Sequence, residues 1–392
     1  MKKAVVFGAG NIGRGFLGQL FFESGYETVF VEAMPAVVEL LNKNKVYPLW
    51  VVSDKEKEKF EIRNVRAVCA GNTDAVAEEL TEADLAATAV GVGNIPKIAP
   101  LLAKGIARRA AAKNSRPLNI IICENLLSAG QTLKAEIKQN LPPELHNYLD
   151  EKIGMVETVV SRMVPPVPPE IKGREPLLVL VEPYKILPVA KHGFRGTIPK
   201  INGFLPVENI QAYEELKLYV HNLVHVVCAY FGYLKKCSYI WEAVARPEVR
   251  KILEGTLKEA GSALIKKHHF SKKELGDYSA DLIRRFANKS LGDTVYRVGR
   301  QPLRKLGPRD RLVGAARLCL DFGIEPENII FTIATALCYN YKEDEEAVNL
   351  AKMISEKGAG YVLQEICKIK PAEPIYHAIL EEYGALSCHS ER

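Results

Sequence analysis

Three glycines close to the chain start constrain this sequence more than any other feature. An apolar run at residues 4–7 leads straight into Gly8-Ala9-Gly10-Asn11-Ile12-Gly13, and a helical pattern at residues 12–24 follows. The pattern GxGxxG is weak evidence in isolation. Placed between a first strand and a first helix, it marks the phosphate-binding turn of a doubly wound dinucleotide-binding domain. Gly8 permits the turn, Gly10 lets a pyrophosphate approach the backbone, and Gly13 lets the helix lie close on the strand. The helix start supplies unpaired N–H groups and partial positive charge. Glu32 ends a second apolar run at residues 28–31. A carboxylate there accepts bonds from ribose hydroxyls and repels a 2′-phosphate, so NAD is expected rather than NADP, with FAD the competitor for the same fingerprint. A third loop, Gly91-Val92-Gly93-Asn94, follows the run at 86–90, and Gly91 is a candidate cofactor contact.

The pattern beyond this loop extends the same logic. Short β-branched runs at 66–69, 86–90 and 118–123 alternate with helical segments at 35–42, 73–83, 95–113 and 129–139. Such alternation means βαβ units and a parallel sheet. Runs at 177–181 and 186–189 read as later strands. The segment VPPVPP at 164–169 is excluded from helix and central strand by its prolines. After a turn-rich stretch at 193–206 the pattern becomes helical, with segments at 208–234, 247–266, 272–287, 308–322, 326–339, 344–356, 360–368 and 375–383. The expected architecture is an α/β domain of Rossmann type over residues 1–200, with a mostly parallel sheet, then an all-α domain over 201–392.

Composition excludes several classes. Hydrophobic residues make up 47% and charged residues 26%, values of an ordinary globular chain. The net charge of +6 is mild over this length and calls for no nucleic acid. No apolar run reaches the roughly 18 residues of a membrane span, and the first apolar run stops at Gly8, so no secretory segment is expected. The cysteines at 69, 123, 228, 237, 319, 338, 367 and 388 form no CxxC pair. They read as free thiols of a cytoplasmic protein. No Cys/His spacing suits zinc, so no metal is expected. The expected partner is a small molecule, and the expected assembly a monomer or small homo-oligomer.

The chemistry is expected on the segment 213–234. From Leu218 to Tyr230 only His221, Asn222 and His225 are strongly polar, so this helix is expected to be buried. At about 100° per residue, His221, His225 and Asn222 fall about 40°, 80° and 140° from Lys217. A polar stripe on a buried helix needs partners, because unpaired burial costs roughly 1–3 kcal/mol per group. A substrate cleft supplies them; a satisfied core histidine beside a snorkelling lysine is the structural alternative.

Lys217-x4-Asn222-x2-His225 resembles the catalytic motif of the mannitol dehydrogenase family, the polyol-specific long-chain dehydrogenases. FGAGNIGRGF at 7–16, IICENL at 121–126 and RVGRQPLRKLGPRDRL at 297–312 are similar to that family too, and the likeness runs along almost the whole chain. The resemblance implies a Rossmann-type domain followed by a helical substrate domain. It also implies NAD-dependent hydride transfer between a polyol phosphate and a ketose phosphate, D-mannitol 1-phosphate and D-fructose 6-phosphate. By the same resemblance Lys217 is the general base, Asn222 and Asn125 stabilise the oxyanion, and His225 holds the substrate. Burial of a lysine favours its neutral form and suits it to base work. Arg297 and Lys305 match polyol-contacting positions, Arg300 and Arg304 are phosphate candidates, and Glu182 matches a substrate contact. Two places depart from the family pattern: Val160-Ser161-Arg162 has Ser161 in place of Asp, and no tryptophan follows Glu182. The alternatives are a relative acting on a free polyol or a hexuronate, and a non-catalytic NAD(H)-binding sensor.

Overall fold

The computed structural model describes the backbone of residues 1–390 and the side chains of residues 1–386. Cys388 lies outside the described side chains. The chain divides into two compact units, residues 1–213 and 214–392.

The first unit is built on a six-stranded sheet. Its strands are β1 (Lys2–Phe7), β2 (Tyr26–Glu32), β5 (Val65–Cys69), β6 (Leu85–Thr88), β7 (Leu118–Ile122) and β8 (Ile153–Glu157). They run in the order β5-β2-β1-β6-β7-β8 and every pairing is parallel. This is the doubly wound order, whose direction of growth reverses between β1 and β6. Successive residues of β1 serve opposite faces. Ala4 and Val6 join one core with Phe16, Leu20 and Phe30, whereas Val5 and Phe7 join another with Val76, Leu102 and Ile106. Apolar residues on both faces explain why the strands read as unbroken apolar runs.

Five further strands were expected only in part. β3 (Val46–Val52) and β4 (Lys57–Arg63) form an antiparallel hairpin, and β9 (Val179–Val181) pairs parallel with β3. Pro48 lies in β3 but before Leu49, where pairing with β9 begins. At Pro48 the strand therefore has one neighbour, the situation a residue without N–H tolerates. β10 (Leu187–Ala190) and β11 (Phe204–Val207) pair in parallel. A boundary at residue 200 would separate these two strands, and the compact unit continues to Tyr213. In the proline-rich segment only Pro169 enters a helix, at the first position of a single turn, Pro169–Lys172, where no N–H is required.

The second unit is helical. Its central helix, Asn222–Leu234, buries Leu223, Val224, Val226, Val227, Cys228, Ala229, Tyr230 and Phe231. Ile240–Ala245, Pro247–His268, Val295–Gly299 and Glu327–Leu337 pack around it. The helix expected at 308–322 starts only at Val313, because residues 304–310 are taken up by turns in which Gly307 N–H bonds Arg304 O and Asp310 N–H bonds Gly307 O. No helix among the described residues is long and apolar enough to cross a membrane. All seven described cysteines carry free thiols. Among the described residues no group of three His, Cys, Asp or Glu side chains is arranged to hold a metal ion.

Candidate active site

In the first unit the predicted loops all leave the carboxyl edge of the parallel sheet. Gly8 follows β1 with φ of +94°, and a side chain there would meet Ala89 O at 2.6 Å. At Gly13 an added Cβ would lie 1.9 Å from Gly8 O, so helix and turn touch at bare backbone. An added Cβ at Gly10 or Gly91 meets nothing within 4 Å, which leaves both loops open on the side where a ligand would lie. Arg14 N–H donates to Gly10 O at 3.0 Å, so Ala9, Asn11 and Ile12 lead directly into the first helical turn.

That first helix is not a regular α-helix. Residues Gly13–Leu17 form a π turn, with Gly18 N–H bonded to Gly13 O. Tyr47 of β3 is fully buried and its hydroxyl donates to Arg14 O at 2.6 Å. Arg162, from the segment that departs from the family pattern, donates to Gly15 O, Gln19 Oε1 and Glu182 O. The wide turn behind the glycine loop is therefore held by side chains from β3 and from the segment after β8.

Glu32 is tied to the backbone through both carboxylate oxygens. Its Oε2 accepts from Ala9 N–H at 2.9 Å, and its Oε1 accepts from Ala33 and Met34 N–H at 2.8 and 2.9 Å. Three of its roughly four acceptor positions are thus used by backbone, and one remains for a ligand hydroxyl. Glu124, which the sequence analysis passed over, binds Val90 N–H at 2.9 Å and Gly91 N–H at 2.8 Å. One buried carboxylate thereby fixes the third loop. Its signal was available in the Cys-Glu-Asn turn after β7, whose next residue, Asn125, is exposed at the same edge. Glu182 is fully buried, and its Oε1 accepts from Met163 N–H at 2.5 Å.

In the second unit the polar stripe of Lys217, His221, Asn222 and His225 also starts on a π turn. Lys217–His221 is a π segment between the helices Ile210–Leu216 and Asn222–Leu234, and Asn222 N–H bonds Lys217 O. This bond closes one turn over five residues. Asn222 therefore lies one turn above Lys217, not the 140° away that an α-helix would give. His221 is buried, and its Nδ1 has no hydrogen-bond partner. Burial and the nearby Arg285 guanidinium hold its pKa well below that of a free histidine. His225 stacks on Phe286 with ring centres 4.5 Å apart, and its Nε2 lies 2.9 Å from Asp293 Oδ2. Burial lowers the His225 pKa although Asp293 pulls it up. Burial alone would raise the Asp293 carboxyl, but His225 and Arg297 take it down to about 2.

The basic cluster separates into three kinds of residue. Arg297 binds Asp293 Oδ1 through Nε and a terminal nitrogen, both at 2.6 Å, and is half exposed. Arg300 and Arg304 are exposed, and Arg304 also lies 3.5 Å from Asp310. Lys305 is buried: its Nζ donates to Val298 O at 2.6 Å and to Arg300 O. Burial, with Arg311 and Arg304 nearby, lowers its pKa to about 7. Lys305 thus shapes the backbone on which Arg297 and Arg300 stand.

The known proteins that this chain resembles fit both units. The model of the mannitol dehydrogenase Rossmann domain matches residues 2–203, and that of the mannitol dehydrogenase C-terminal domain matches residues 209–370. Mannitol-1-phosphate 5-dehydrogenase of Clostridium acetobutylicum is 40% identical over 385 residues, covering 98% of this chain and 99% of that protein. The Bacillus subtilis protein of that name is 39% identical over 381 residues, covering 97% of this chain and 99% of the relative. Among solved structures, substrate-free D-sorbitol dehydrogenase superposes with a TM-score of 0.83 at 15% identity, covering 98% of this chain and 93% of that one. Mannitol 2-dehydrogenase of Pseudomonas fluorescens, in a ternary complex with NAD and D-mannitol, gives 0.75 at 16% identity, covering 99% and 92%. With both family models matched in order and relatives near 40% identity along its whole length, this chain belongs to the mannitol dehydrogenase family.

Proposed function

We propose that the protein is an NAD-dependent dehydrogenase that interconverts D-mannitol 1-phosphate and D-fructose 6-phosphate. The full-length similarity to mannitol-1-phosphate 5-dehydrogenases carries this reading, and the π turn that stacks Asn222 over Lys217 supports it. The first unit fits a dinucleotide: Gly8, Ala9, Gly10, Asn11, Ile12 and Gly13 give an open turn for the pyrophosphate, Glu32 keeps one acceptor position for ribose, and Gly91 leaves the third loop open. NAD, when bound, supplies the hydride acceptor.

The remaining steps belong to the chain's own side chains. Lys217 Nζ takes the hydroxyl proton of the polyol as its carbon loses hydride, and returns it in the reverse direction. The Asn222 amide donates to the oxygen as it gains negative charge, and Asn125 is the second donor that the family resemblance assigns. His225 hydrogen-bonds a neighbouring hydroxyl. Arg297 meets the polyol chain, while Arg300 and Arg304, both exposed and without a buried partner to lose, receive the phosphate. Glu182 and Lys305 serve the backbone around the site, given their burial and their carbonyl and amide partners.

NADH oxidation with fructose 6-phosphate beside fructose tests the proposal. Losing two charge-assisted hydrogen bonds, each worth roughly 1.5–3 kcal/mol, should lower kcat/KM for fructose by at least about a hundredfold. Equal turnover of both sugars would move the assignment to a free-polyol enzyme. Tight NADH binding with no turnover of any ketose would favour a sensor.

A further inference from the structure

Asp293 enters the second unit from a loop, but it is not loosely held. Its carbonyl accepts from Ile240 N–H at 2.9 Å. The next residue, Thr294, caps the helix Val295–Gly299 through Oγ1, and Val295 N–H bonds Ser238 O at 2.9 Å. The carboxylate is 8% exposed and divides its oxygens: Oδ2 faces His225 Nε2, and Oδ1 holds the Arg297 fork.

A carboxylate can only accept, so an ionised Asp293 requires the proton of His225 on Nε2. Burial keeps the ring neutral at pH 7, and the cations Arg297 and Arg311 work in the same direction. His221, at 6.2 Å between ring centres, is itself held neutral. In a neutral imidazole with Nε2 protonated, Nδ1 carries a lone pair. No described residue bonds to that nitrogen. The arginines assigned to the substrate on this unit, Arg297, Arg300 and Arg304, can only donate. A polyol hydroxyl must also place its own proton somewhere.

We propose that Asp293 is a positioning residue that fixes the tautomer of His225, so that Nδ1 accepts a hydrogen bond from a substrate hydroxyl. This rests on the dehydrogenase reading above and deepens it. The site then distinguishes a hydroxyl, which can donate to Nδ1, from a carbonyl or an ether at the same carbon, which cannot. Phe286 keeps the ring plane fixed by stacking on its face.

The experiment uses the full chain labelled with 15N at histidine, with and without the Asp293→Asn and Asp293→Glu substitutions. At pH 7.5 the unmutated protein should show His225 neutral and protonated on Nε2. Asp293→Asn should give a mixture of tautomers, and Asp293→Glu should recover the Nε2–H form. With fructose 6-phosphate, Asp293→Asn should raise KM by about tenfold or more, the effect of one lost hydrogen bond to a positioned group, with a smaller change in kcat. The double variant His225→Ala, Asp293→Asn should lose less than the product of the two single losses. An imidazolium or an Nδ1–H form in the unmutated protein overturns the inference, and so does an unchanged tautomer in Asp293→Asn or full multiplication of the two losses. The spectra need no turnover. An inactive protein with the Nε2–H tautomer would thus count against the dehydrogenase reading, and an active one with the wrong tautomer against Asp293.

Discussion

Replacing Lys305 by methionine should remove a pH dependence from the stability of the second unit. A lysine ammonium has three donors, and the site offers Lys305 two acceptors, Val298 O and Arg300 O. A neutral amine has two N–H groups for these two carbonyls, so the neutral form is the better match. The drop from 10.5 to about 7, at about 1.4 kcal/mol per pH unit, corresponds to about 5 kcal/mol. Because the folded pKa lies below the unfolded one, the unfolded chain holds the extra proton between about pH 7 and 10.5. Folded stability from this group therefore rises with pH across that window, by up to about 1.4 kcal/mol per unit, and is lowest below pH 7. Lys305→Met loses this slope and leaves two carbonyls unpaired, at roughly 1–3 kcal/mol each. Its stability deficit against the unmutated chain should widen steadily from pH 7 to pH 9. The chain's two tryptophans, Trp50 and Trp241, fall one in each unit. Urea unfolding followed by Trp241 fluorescence in a Trp50→Phe background therefore reports the second unit. Raised tyrosine and cysteine pKa values are common to both proteins and cancel in the difference. A deficit that stays constant from pH 6 to pH 9 would refute the neutral-amine account.

Three further outcomes are expected. Lys217→Ala should lower kcat by at least about 10²–10⁴-fold, the contribution of general acid–base catalysis, while NADH affinity measured by fluorescence titration stays within a few-fold. Glu32→Ser should raise the ratio of NADP(H) to NAD(H) efficiency and weaken NAD(H) binding too, because Ala9, Ala33 and Met34 lose their acceptor; an unchanged cofactor ratio would count against Glu32 as the discriminator. Arg300→Ala or Arg304→Ala should raise KM for fructose 6-phosphate about tenfold or more, one charge-assisted hydrogen bond being worth roughly 1.5–3 kcal/mol, with little change for fructose, and an equal loss on both sugars would reassign these arginines.

The parallel sheet was legible because both its faces are covered. Residues 4–7, 28–31 and 118–123 are apolar apart from Thr28 and Asn119, and the structure puts strands on each run. The hairpin of β3 and β4 was not legible. KEKFEIR on β4 exposes five of its seven residues, all charged, and Pro48 argues against β3. The glycine loop and Lys217, Asn222 and His225 stand out as local patterns. Their geometry does not, since the angles assumed a regular helix and a π turn depends on packing. Asp293 is 68 residues from His225, and no periodicity links a loop aspartate to a helix histidine across that distance.

The glycine-loop helix and the helix of Lys217, Asn222 and His225 each contain a turn that is one residue longer than an α-turn. Each is therefore a place where helix regularity and side-chain phase are in conflict. Forcing the segment Lys217–His221 into a regular α-helix at its present length would give it stronger hydrogen-bond geometry. It would also rotate everything before it by about 100° relative to Asn222 and His225, turning the lysine off their line. Selection for helix strength alone would erase this register, so straightening the segment for thermal tolerance trades the alignment of Lys217, Asn222 and His225 for it. The surplus residue acts as a fixed phase offset, written into chain length and not into the identity of any side chain.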